Sequence, residues 1–105
     1  MWSVEYLPAA IEEQAELPAD MRARLARMAD LIVEHGLANL PRDWVKSLGD
    51  KLWELRITGR DGIARAIYVT ATGQRLVIVR IFVKKTQKTP QRELELARRR
   101  AKEIR

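Results

Sequence analysis

The chain has 105 residues, with 20 Lys+Arg against 14 Asp+Glu, a net charge of +6 and 47% hydrophobic residues; this predicts one globular domain over residues 1–105, with a single core and a bias toward polyanionic partners. It has no cysteine, which excludes a disulfide framework, a thiolate zinc site and a cysteine nucleophile. No apolar run approaches a membrane-spanning length, and the first residues lack a basic-then-apolar signal pattern, so a cytoplasmic protein with no membrane partner is expected.

Trp2-Ser3-Val4-Glu5-Tyr6 alternates apolar and polar groups, as a half-buried strand does. Pro8 opens a short helix through Ala9–Glu16. From Pro18 to His35 the period is helical, with Met21, Leu25, Met28 and Ile32 on one stripe. Gly36 fits a left-handed cap after it. Residues 37–50, with Pro41, Gly49, Arg42, Asp43 and Asp50, read as a connection. Lys51–Thr58 then reads as a strand sending Trp53, Leu55 and Ile57 to one face and Leu52, Glu54 and Arg56 to the other. Gly59-Arg60-Asp61-Gly62 has hairpin-turn residues, Ile63–Thr70 is rich in β-branched residues, and Ala71–Gln74 is a second turn. Arg75–Val83 is the most apolar run and predicts a central strand buried on both faces. Lys84–Thr89 is a basic linker, and Thr89-Pro90 reads as an N-cap followed by proline in the first turn. The last helix has only a thin apolar stripe of Leu94, Ala97, Ala101 and Ile104, which predicts partial docking. Strand, helix, helix, a three-strand antiparallel meander and a C-terminal helix predict an α+β fold with the helices packed on one sheet face.

The charge is uneven. Residues 1–20 contain five acids and no Lys or Arg, whereas 11 basic residues and three glutamates lie from Arg75 onward. A basic C-terminal third suits a phosphate backbone, or is a solvated helix surface. Glu12, Glu13 and Glu16 are either a solvated helix face or partners of the chain's own basic helices; exposed pairs of that kind contribute about 0–1 kcal/mol each.

Metal chemistry finds little support in one histidine and no carboxylate cluster with ligand spacing. His35, beside a helix end, reads as a charge partner there. Nucleophile-elbow, dinucleotide-binding and P-loop patterns are absent. What remains is basic: Arg65 and Arg80 interrupt apolar strands, Arg56 shares a strand face with Glu54, and Lys84, Lys85 and Lys88 cluster where the last strand ends. These are either cross-strand surface ion pairs or a cationic patch on the sheet. A patch of that kind suits RNA cleavage by 2′-OH attack on the adjacent phosphate, which needs a base, cations on the phosphorane and a donor to the leaving 5′-oxygen.

Leu52-Trp53-Glu54-Leu55-Arg56, Arg65-Ala66-Ile67-Tyr68 and Phe82-Val83-Lys84-Lys85-Thr86-Gln87-Lys88-Thr89-Pro90, with Glu93 and Ala97 beyond, resemble the phage-derived, HigB-like branch of the RelE/HigB toxin superfamily. The resemblance runs over essentially the whole chain. It implies a toxin of a type II toxin–antitoxin system: an mRNA endoribonuclease that needs no metal or other cofactor, acts on ribosome-bound mRNA and inhibits translation. The implied partners are mRNA, the ribosome and a cognate antitoxin of helix-turn-helix type. By position Arg56, Arg65, Lys84 and Lys85 match the family's basic groups. Arg65 and Lys85 would then stabilise the scissile phosphate, Arg56 and Lys84 would position RNA, and Arg80 and Lys88 would assist at the backbone. Glu54 is the candidate base, from its place beside Arg56. Lys85 stands where RelE has an arginine, so a planar clamp becomes a point charge. RelE's tyrosine in the last helix has no counterpart, Gln91 lying near its place, and the histidines of some HigB members are missing. The same branch leaves two other readings: a non-enzymatic, tail-associated phage protein, and a gyrase-inhibiting toxin of the ParE type.

Overall fold

The computed structural model describes residues 1–84 and 88–104. The chain runs β1 (Ser3–Tyr6), α1 (Pro8–Ala15), α2 (Ala19–His35), two single 3₁₀ turns (Leu37–Asn39 and Arg42–Trp44), β2 (Val45–Gly49), β3 (Leu52–Gly59), β4 (Gly62–Ala71), β5 (Arg75–Lys84) and α3 (Gln91–Ala101). The α+β class read from the element order is the one formed. All strands join one sheet in the order β1-β5-β4-β3-β2. β1 lies parallel to β5, and every other neighbouring pair is antiparallel.

The sheet is covered on both faces. α2 buries Met21, Leu25, Met28 and Ile32, the four residues on its apolar stripe. They pack with Ala10 of α1 and with Leu55, Ile57, Ala64, Ala66, Tyr68, Leu76 and Ile78 of the sheet. On the opposite face Leu52, Ile67, Val77 and Val79 pack with Ala97 of α3. The expectation that all helices share one face is therefore corrected: α1 and α2 cover one face and α3 the other. The reason lies in β5, whose residues 76–79 are apolar on both sides. Each side must be removed from water, at about 25 cal/mol per Å² of apolar area.

The segment read as one long connection contains β2. Val45 pairs with Leu55, Lys46 with Glu54 and Ser47 with Trp53, adding an edge strand to the meander. The turn into β3 places Asp50 and Lys51 at positive φ (53° and 66°), so Lys51 belongs to the turn rather than to the strand. After α2, Gly36 has the expected positive φ of 83°, but its ψ of 161° is extended, a conformation open essentially to glycine alone.

β5 carries an irregularity that sets the geometry around it. Tyr68 pairs with Ile78 but Ile67 pairs with Arg80, leaving Val79 as an extra residue. Such a bulge places two successive side chains on one face. Arg80 therefore joins Val79 on the α3 face, while Ile81 returns to the α2 core. The Arg80 guanidinium binds Glu93 of α3 through Nε at 2.7 Å and Nη2 at 3.1 Å, and Glu13 of α1 through Nη1. Glu13 Oε1 also accepts the Ile81 backbone N–H at 3.0 Å, on the stretch of β5 that β1 does not reach. Arg100 completes the network, donating to Glu13 Oε1 at 3.0 Å and to the Val79 carbonyl at 2.8 Å. Glu13 is thus a partner of the chain's own basic elements, and its carboxylate side chain is only 14% exposed.

Two outcomes test this packing. A Cβ on Gly59 would lie 2.6 Å from Met21 Cγ, whose residue is buried, so Gly59→Ala lowers unfolding free energy by about 1–3 kcal/mol in denaturant titration. Glu13→Gln removes the charge shared by two arginines and costs roughly 1.5–3 kcal/mol. Because the network is largely buried, that loss of Tm persists at about 1 M salt, where exposed pairs are screened.

Candidate functional site

Period-two geometry brings Glu54, Arg56 and Arg65 onto the α3 face of the sheet. Arg56 and Arg65 are direct partners between β3 and β4. Lys46 of β2 stands opposite Glu54. Lys84, at the end of β5, pairs with Ile63 and lies diagonally across from Arg65. Four basic residues from four strands thus surround one carboxylate.

The centre of this group is closed off from solvent. Glu54 is 1% exposed, Arg65 3% and Lys84 7%. Arg65 Nε lies 3.3 Å from Glu54 Oε2. The contact is electrostatic rather than a well-aligned hydrogen bond: Glu54 Oε1 and Arg65 Nε and Nη1 are buried with no hydrogen-bond partner among the described residues. Burial lowers the pKa of Arg65, with Glu54 opposing and Arg56 adding to the shift. Burial also lowers the pKa of Lys84, followed by the charge of Arg65; Glu54 opposes, and Lys46 and Arg56 push the same way. Buried donors and acceptors are costly for stability when left unpaired.

Thr89 sits on the carboxylate. Its hydroxyl donates to Glu54 Oε2 at 3.1 Å and accepts from Lys84 Nζ at 3.5 Å. This corrects the reading of Thr89 as a helix cap: Pro90 occupies the N-cap position of α3, and no side chain caps the helix there. The Pro90 carbonyl instead accepts the backbone N–H groups of Glu93 and Leu94.

The residues singled out from the sequence fall into three groups. Glu54, Arg56, Arg65 and Lys84 come together in the cluster. Arg80 does not join it, being held by Glu13 and Glu93. Lys88 is exposed on the segment before α3, and Lys85 lies outside the described residues. Lys46 and Thr89 were not anticipated as site residues. Lys46 was hidden because β2 itself was read as a connection; Thr89 because its neighbour Pro90 suggested a capping role. His35 is exposed at the end of α2, its Nε2 3.6 Å from Glu34. Among the described residues no group of His, Asp and Glu is placed to hold a metal ion.

The model of the family described as phage-derived protein Gp49-like matches residues 12–102. The chain belongs to this Gp49-like family. No curated protein sequence matches it. Among solved structures, the Gp49-like chain is similar to a mutant of the E. coli toxin RelE in the free state. That likeness has a TM-score of 0.60 at 14% identity, covering 99% of this chain and 98% of the other. It is also similar to a chain of the RelBE2 toxin–antitoxin complex from Mycobacterium tuberculosis, with a TM-score of 0.56 at 21% identity, covering 79% of this chain and 98% of that one. A chain of the intact E. coli RelBE complex gives a TM-score of 0.56 at 15% identity, with 82% and 100% covered. At these identities the likeness is one of fold. The phage-derived branch and the RelE-like fold that the motifs suggested are both found.

The buried pair gives a direct test. Removing one partner strands the other charge, so Arg65→Met alone lowers stability by about 3–5 kcal/mol. Replacing both, as Glu54→Leu with Arg65→Met, recovers part of that loss, because the stranded partner charge is gone while the buried Lys84 keeps its own. Urea titrations of the two single variants and the double variant measure the difference.

Proposed function

We propose that this protein is the toxin of a toxin–antitoxin system and that it cleaves mRNA by attack of the 2′-OH on the adjacent phosphate. The observation that carries the proposal is the cluster itself: Lys46, Arg56, Arg65 and Lys84 gathered around one buried carboxylate on a sheet of RelE-like fold. The RelE and RelBE neighbours support the same reading by fold.

In this mechanism Glu54 accepts the 2′-OH proton. The freed 2′-oxygen bonds to phosphorus, and the P–O5′ bond breaks, leaving a 2′,3′-cyclic phosphate and a 5′-hydroxyl end. Arg65 neutralises the extra charge on the phosphorane oxygens, the step at which fixed cations in a dry site contribute most. Lys85 is assigned the same task by the family resemblance. Lys84, with its lowered pKa, supplies a proton to the leaving 5′-oxygen, and Arg56 and Lys46 hold the strand. Arg80 and Lys88 are left with the flanking backbone. The reaction uses side-chain acids and bases alone. Since Glu54 and Arg65 are nearly closed off, the incoming ribose 2′-OH takes the place of the Thr89 hydroxyl as donor to Glu54.

The reading extends to partners. Ribosome-bound mRNA is the substrate, in the cytoplasm, and translation is what stops. A cognate antitoxin, of helix-turn-helix type, holds the protein inactive; the RelB–RelE complexes give the precedent for such a pairing. No helix among the described residues is long and apolar enough to cross a membrane.

Induced expression, with mapping of cellular mRNA 5′ ends, tests the proposal. The wild type arrests growth and creates new 5′ ends at defined codon positions, and co-expression of the neighbouring gene product relieves the arrest. Arg65→Ala lowers cleavage by about 10²–10³-fold, the usual loss on removing one group that stabilises developing charge. DNA damage with intact mRNA would replace this reading with gyrase poisoning; unchanged growth, mRNA and DNA would replace it with a non-enzymatic phage component.

A further inference from the structure

A second basic pocket lies beside the cluster, at an uncovered edge of the sheet. β2 pairs with β3 only as far as Val45 and Leu55, and the 3₁₀ turn Arg42–Trp44 leads into it from the side. Beyond Leu55 that edge of β3 is left open while α2 passes next to it. The result is a pocket of about 210 Å³ lined by Arg24, Met28, Asp43, Trp44, Arg56 and Thr58. Met28 is buried and forms an apolar floor, and Trp44 is half-buried against the α2 core. Arg24, Asp43 and Thr58 are exposed. Among the described residues neither Arg24 nor Arg56 has a carboxylate within ion-pair distance, although Asp43 lines the same pocket.

Arg24 and Arg56, Trp44 and Asp43 line this one pocket from either side of the open edge, and a guanidinium, an indole and a carboxylate are the groups that match the parts of a nucleotide. Guanidinium groups suit phosphate oxygens through paired hydrogen bonds. An indole gives a base a surface to stack on. A carboxylate accepts from the exocyclic amino group of cytosine, where uracil presents a carbonyl oxygen that it repels. Arg56 ties the pocket to the cluster, because its strand partner is Arg65.

We infer that this pocket holds the nucleotide next to the scissile phosphate, with its phosphate on Arg24 and Arg56, its base on Trp44, and Asp43 favouring cytosine over uracil. The inference rests on the RNA reading of the cluster and deepens it to a base preference. Asp43 and Arg24 set that preference without taking part in bond breaking.

The test uses the full chain and short 2′-O-methyl oligoribonucleotides, one of cytidines and one of uridines. Their blocked 2′-oxygens cannot attack, so binding is read apart from cleavage by fluorescence anisotropy. The wild type binds the cytidine oligomer about 5–10-fold more tightly than the uridine oligomer, the discrimination expected of one base contact. Asp43→Asn reduces the ratio to within about twofold. Arg24→Ala weakens both oligomers about tenfold and lowers the salt slope by about one, as loss of one phosphate contact does. Both residues are exposed, and circular dichroism confirms folding of the variants. If Arg65→Ala weakens binding while Arg24→Ala and Asp43→Asn change nothing, the pocket inference is overturned and the RNA reading stands. If the wild type binds neither oligomer, both are overturned.

Discussion

β5 is the strand on which the rest of the molecule depends. Leu76 and Ile78 face α2, Val77 and Val79 face α3, and the bulge at Val79 then turns Arg80 toward α3 instead of into the α2 core. The α2 face is an apolar core that includes Met21, Leu25 and Met28, where a charge is costly to bury. On the α3 face the Arg80 guanidinium meets Glu93 and Glu13 at once. The irregularity also leaves the Val79 carbonyl to Arg100, so the extra residue's acceptor is satisfied from the helix that the bulge helps to dock. α1, β5 and α3 are joined through this one feature, although α3 has little apolar surface of its own.

The two charged groups of the α3 face differ in kind. Around Arg80 the donors and acceptors are matched: each guanidinium nitrogen has a carboxylate partner, and Glu13 closes the edge of β5. Around Glu54 they are mismatched among the described residues, with positive charge in excess and buried atoms lacking a hydrogen-bond partner there. Matched networks rigidify a fold, whereas mismatched ones hold stability in reserve for a ligand. The contrast separates Arg80 from Arg65, two arginines that look alike when read as interruptions of apolar strands.

Much of this was legible in the sequence, and the exceptions have physical causes. The stripe of α2 and the alternation of β3 follow directly from periods of 3.6 and 2.0 residues, and the same alternation brought Glu54, Arg56 and Arg65 to one face. β2 was not legible because Val45–Gly49 is short and half polar, and its turn uses Asp50 and Lys51 at positive φ without a glycine between the strands. Lys46 disappeared with it. The placement of α3 was missed because its stripe is thin; Ala97 is small, and the helix is held as much by Glu93 and Arg100 as by apolar contact. A bulge leaves no mark in a run of Val and Ile, so the face taken by Arg80 could not be counted out by twos. Thr89 illustrates a competition between roles, since a hydroxyl before a proline can cap a helix or reach across to a neighbouring strand.

The parallel pairing of β1 with β5 has a consequence for how the molecule comes together. Arg75 and Glu5, which meet across that pair, are 70 residues apart in the chain, whereas β3, β4 and β5 are joined by short turns. Closing the long loop carries an entropic cost that the hairpins do not bear. The meander with its basic cluster is built from contacts between neighbouring strands in the chain, whereas the N-terminal strand is joined to it by contacts of high sequence separation. Glu13, which fastens β5 and α3, comes from that N-terminal segment. An acidic N-terminal element thus fastens the last strand and the last helix, and opposite charges tie the two ends of the chain together.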